Sequence, residues 1–101
     1  MNPRILPQAI VAALAVRGLL DLVDQVCAMR GVTREQLCGD CPDFAVSAAR
    51  HELWWLIRHH PERRYSYSEI GRLVCRHSTT VVYGVTRHAR QLATAPNPQI
   101  S

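Results

Sequence analysis

The run Arg76-His77-Ser78-Thr79-Thr80 gathers a guanidinium, an imidazole and three hydroxyls in five consecutive residues. Such groups donate and accept hydrogen bonds but include no activated nucleophile, so the chemistry they offer is recognition. Cys38 and Cys41, with Gly39 and Asp40 between them, have the spacing of half a tetrahedral zinc site, which Cys27, Cys75 or a histidine would have to complete. No second paired motif follows, and cysteine also serves as a small buried hydrophobe. Structural thiols are therefore the expectation, with no metal and no cofactor. His59 and His60 precede Pro61 as a polar helix end. His51 either packs beside Trp54 and Trp55 or faces solvent, and His88, after Arg87, faces phosphate or solvent. None of these residues has the acid–base company that nucleophilic catalysis needs, so an enzyme is not expected.

The charge suits a polyanion. All twelve basic residues are arginine, the better ligand for phosphate and base edges. Residues 1–49 carry four arginines against five acids, whereas residues 50–101 carry eight against three, with all five histidines. The second half therefore stands near +5 and the first near −1. A solvated basic face is the competing reading of the same numbers. No apolar run approaches the roughly 20 residues that cross a bilayer. Arg4, an apolar stretch and Ala13-Leu14-Ala15 loosely imitate a signal peptide. The stretch is short, Pro7 interrupts it and the helical pattern continues past Arg17, so a cytoplasmic protein with reduced thiols is expected.

The elements that must position these groups all read as helix. Residues 5–16 form an apolar first helix with Pro7 in its first turn. Leu19–Arg30 forms a second, stopped by Gly31. Thr33-Arg34-Glu35-Gln36 is a capping box opening a short helix through Leu37. Asp43 caps a longer helix to about His60, with Ala45, Ala49, Leu53, Leu56 and Ile57 inward. Ser66-Tyr67-Ser68-Glu69 is a second capping box, for a two-turn helix ending near Val74. The last helix spans Ser78–Leu92 with Val81, Val85, Ala89 and Leu92 inward, and residues 96–101 form a flexible tail. The expected fold is one all-α domain, residues 1–95, of five to six helices.

A two-turn helix, a tight connection and a longer helix opening on small polar residues is the helix-turn-helix plan, here over residues 66–92. The second helix of such a pair puts its first residues against base edges in the major groove. The sequence from Ser68 to Val85, "SEIGRLVCRHSTTVVYGV", resembles the signature of the C-terminal DNA-binding domain of the bacterial replication initiator DnaA, which has a Trp-repressor-like helical fold. Upstream, "LLDLVDQVCAMRGVTREQL" and "ARHELWWLIRHHPERRYSYSEIG" are similar to that family's preceding helices, so Leu19 to His88 is covered in order.

The resemblance implies double-stranded DNA as partner, with His77, Ser78, Thr79, Thr80 and Ser68 at base edges. Arg76, Arg63, Arg64, Arg72, Arg87 and Arg90 are the implied phosphate ligands, Arg76 also a candidate for guanine. Departures from the signature are specific. His77 stands where the family has aspartate, Ser78 where it has histidine, and Cys75 alone replaces a glycine pair. Cys41-Pro42-Asp43-Phe44 stands where the family has a basic loop, which implies a different target site or weak binding. No phosphate loop of the G-x-x-x-x-G-K-[ST] kind is present, so a small regulator of replication or transcription without ATPase activity is expected. The first helix, residues 5–16, either closes the core or offers its Ile10, Val11 and Leu14 face as a homodimer contact. A protein-interaction module that has lost DNA contact is the alternative, with a protein partner in replication or transcription.

Overall fold

The computed structural model describes residues 6–94 as six helices, with no strand among them. They are α1 (Pro7–Val16), α2 (Leu20–Arg30), α3 (Arg34–Cys38), α4 (Phe44–Arg58), α5 (Tyr67–Val74) and α6 (Ser78–Thr94). Ile5, the expected start of the first helix, and the expected tail 96–101 lie outside the described residues.

Local chemistry sets most of these boundaries. Thr33 and Ser66 both form complete capping boxes, with Gln36 and Glu69 reaching back to the cap N–H groups. The Asp43 carboxylate accepts from the Ala45 N–H at 2.8 Å and opens α4. Gly31 ends α2 at φ 66°, a left-handed conformation that glycine adopts without steric cost. Two helix ends differ from the expectation: α3 runs one residue beyond Leu37, and α4 stops short of His60, at Arg58 with His59 as its cap.

The core is built on α4, which touches α2, α3, α5 and α6. Val46, Ala49, Leu53, Trp54 and Ile57 are its buried apolar residues, while Ala45 is exposed and Leu56 only half-buried. Of the adjacent tryptophans, Trp54 is core, and Trp55 is half-buried against His59 and His88. Against α4 lies α6, whose inward face is Val81, Gly84, Val85 and His88. Ala89 and Leu92, expected inward, are exposed. Gly84 sets the rotation of α6: a Cβ there would stand 2.6 Å from His51 Cδ2 and from Trp54 Cε3, so the helix turns its bare backbone to the α4 aromatics. That rotation carries His88 inward to 4 % exposure and leaves Ala89 at the edge of the buried face, whereas Leu92, in line with Val81 and Val85, is exposed because it lies a turn beyond the last buried residue, His88.

α1 closes the other side of the core against α3 and α5. Ile10 and Leu14 are fully buried there at 1 % and 0 % exposure, with Val11 half-buried. Of the two roles expected for this helix it closes the core, and the face expected to make a homodimer contact is covered by the chain's own helices. No helix among the described residues is long and apolar enough to cross a membrane.

Candidate nucleic-acid interface

Three residues, Cys75, Arg76 and His77, join α5 to α6. Cys75 ends α5 at φ 57° and ψ 42°, left-handed without being glycine. The chain then folds back so that the Arg76 N–H donates to the Gly71 carbonyl at 3.0 Å. A Cβ on residue 71 would stand 2.6 Å from the Arg76 carbonyl, so the turn closes only over glycine.

His77 is the cap of α6. Its Nδ1 accepts from the Thr79 N–H at 3.2 Å and lies 2.8 Å from the Thr79 hydroxyl. Its carbonyl accepts from the Thr80 and Val81 N–H groups at 3.0 and 3.2 Å. An accepting Nδ1 places the ring proton on Nε2, so exposed His77 offers an outward N–H donor. Thr79 is exposed and turns its hydroxyl back to the cap. Thr80 is exposed and Ser78 half-buried.

Ser68, Gly71, Arg72, Cys75, Arg76, His77 and Ser78 line one shallow groove between the start of α5 and the start of α6. The candidates Ser68, Arg72, His77 and Ser78 are thus brought together, with Thr79 and Thr80 next along α6. Arg87 and Arg90 are exposed further along that helix, and Arg87 donates to the Tyr83 hydroxyl at 3.3 Å. Arg64 is exposed, with no hydrogen bond or ion pair to the described residues. Arg63 is ion-paired with Glu69 and lies 4.6 Å over the Tyr65 ring. The Ser66 N–H first, and then Arg63, hold the Glu69 carboxyl below its ordinary range.

Arg76 is placed differently from the expectation. Its guanidinium donates to the Val74 carbonyl at 2.9 Å and to the Gly39 carbonyl at 2.7 Å. It braces the turn against the α3–α4 loop, with both terminal nitrogens engaged inside the protein. Arg50, which the sequence did not single out, does the same from α4. Buried to 6 % exposure, it donates to the Leu37, Gln36 and Cys41 carbonyls at 3.1, 2.8 and 2.7 Å. One cation thus satisfies carbonyls of the last turn of α3 and of the loop that follows it.

His88 is also corrected. It is buried, edge-on to Trp55 at 5.5 Å, with Nε2 4.0 Å from Glu52 and Nδ1 without a hydrogen-bond partner. All four cysteines are free thiols. Cys38 is buried, and burial pushes its thiol up to about 11. Among the described residues no cluster of three or more histidine, cysteine or acidic side chains could hold a metal ion, so the spacing of Cys38 and Cys41 is not completed into a site.

The geometry therefore offers a groove at the start of α6 that holds hydroxyl and imidazole groups beside Arg72 and Arg76, with exposed Arg64, Arg87 and Arg90 outside it. Comparison with protein-family models, with curated proteins and with solved structures finds no match to the chain.

Proposed function

We propose that this protein binds double-stranded DNA, with α5 and α6 acting as a helix-turn-helix and the start of α6 entering the major groove. The observation that carries the reading is the continuous exposed face formed by His77, Thr79 and Thr80 with Tyr83, Arg87 and Arg90. A face of uncharged hydrogen-bonding groups followed by arginines matches base edges flanked by phosphates. The resemblance of residues 19–88 to the initiator's DNA-binding domain supports the same assignment. In this reading Arg64, Arg72, Arg87 and Arg90 meet phosphates, and Ser68, His77, Ser78, Thr79 and Thr80 lie at base edges. Arg76 positions the turn. The biological setting proposed is a small regulator of replication or transcription.

A protein-interaction module is the second reading. It is favoured by Phe44, 73 % exposed as the first residue of α4 and next to the acidic cap Asp43, at the end of the loop that Arg76 and Arg50 hold in place. Titration of a mixed-sequence duplex separates the two. Four phosphate contacts should cost about a hundredfold in affinity between about 50 and about 200 mM salt. Absence of salt-sensitive retention would leave the interaction module.

A further inference from the structure

Tyr83 lies one helical turn beyond the threonines, at i+4 from Thr79 and i+3 from Thr80, and so on their face of α6. It is 59 % exposed, yet it is held from two sides. His51 of α4 meets the ring edge-on, at 6.0 Å between centroids and 86° between planes. Arg87, one turn further along α6, donates to its hydroxyl at 3.3 Å. An exposed tyrosine ordinarily loses side-chain freedom when a partner fixes it, and these contacts reduce that loss before any partner arrives.

The Arg87 bond also fixes what the hydroxyl can do. One oxygen lone pair is taken by the guanidinium, and the O–H hydrogen is left to donate outward. Four residues of helix advance about 6 Å along the axis. With base pairs about 3.4 Å apart, Tyr83 stands one to two base pairs beyond Thr79 when α6 lies in the groove. The geometry points to Tyr83 as a further specificity-determining residue: its hydroxyl donates to a major-groove acceptor, a purine N7, a guanine O6 or a thymine O4, next to the base pair that Thr79 and Thr80 meet. This rests on the DNA-binding reading above and names the side chain that extends its recognition surface.

The test is selection from a randomised duplex pool with the wild type and with Tyr83→Phe, which keeps the ring and its packing on His51. Each selected duplex is then titrated against both proteins. Tyr83→Phe is expected to lose preference at one or two adjacent positions, with a roughly tenfold loss for the wild-type duplex. Preference at the remaining positions and affinity for unselected duplexes are expected to stay unchanged. An identical selected motif for both proteins would overturn the assignment. A uniform loss on every duplex would also overturn it, since the hydroxyl would then be a backbone ligand. A wild type that enriches no motif and binds no duplex in a salt-sensitive way would instead overturn the DNA reading itself, a result Tyr83→Phe cannot mimic.

Discussion

Arg76 shows how much a residue's role depends on what the fold places around it. In the sequence it opens a polar run after an apolar helix, which is where a phosphate or guanine ligand would stand. In the structure its nitrogens are fixed on the Val74 and Gly39 carbonyls. Arg76→Met should therefore destabilise the fold, by about 2 kcal/mol for two lost charge-assisted bonds to partly buried carbonyls. Chemical denaturation measures this, and an unchanged midpoint would show that the brace contributes nothing. Cys75 makes the opposite prediction. At φ 57° its Cβ is strained, so Cys75→Gly should raise stability by about 0.5–1 kcal/mol. Neither effect is legible in sequence alone: the Gly39 carbonyl that Arg76 reaches is thirty-seven residues away.

Helix starts were the legible elements, because a cap is a bond between residues two or three apart. Thr33 with Gln36, Asp43 with Ala45 and Ser66 with Glu69 stand as their spacing predicted. The orientation of α6 was only partly legible, because apolar periodicity favoured Ala89 while close packing against Trp54 selects Gly84 and His88. Two substitutions test the element that carries the site. Gly71→Ala forces a methyl into the Arg76 carbonyl, and it should cost about 1–3 kcal/mol as the turn is pushed away from α5. His77→Asp supplies a better cap and a favourable charge at the start of α6, worth about 0.5–1 kcal/mol. The same substitution exchanges a ring N–H donor for carboxylate acceptors and restores the residue the resembled family carries there, so it should change which duplex is preferred. Thermal unfolding and duplex selection check the two effects, and a selected motif identical to that of the wild type would place the start of α6 away from DNA.

Over the whole molecule, the charge asymmetry was plain in the sequence but only part of it reaches the surface unpaired. Of the eight arginines in residues 50–101, Arg50, Arg58 and Arg76 bind backbone carbonyls and Arg63 pairs with Glu69. Titration is governed by the histidines packed around α6. Burial first, against an opposing Glu52 and with Arg30, holds the His88 pKa below its ordinary 6.5. Burial first, then Arg87, Arg50 and His88, does the same for His51. The fold therefore favours the neutral rings, and below about pH 6.5 the unfolded chain binds more protons. Stability should fall as the pH drops from about 6.5, and the loss should level off once the pH is below the folded-state pKa values. His88→Leu should shrink that acid loss, and an unaltered pH profile in urea denaturation would remove His88 as its source.

The most direct test of the central claim is selection of bound duplexes from a randomised pool by the wild type and by a Thr79→Ala/Thr80→Ala double variant of equal stability. The account predicts one enriched motif for the wild type, lost in the double variant while salt-sensitive binding through the arginines persists. Enrichment of the same motif by both proteins would take α6 out of the groove, and enrichment by neither, with no salt-sensitive retention, would contradict DNA binding altogether.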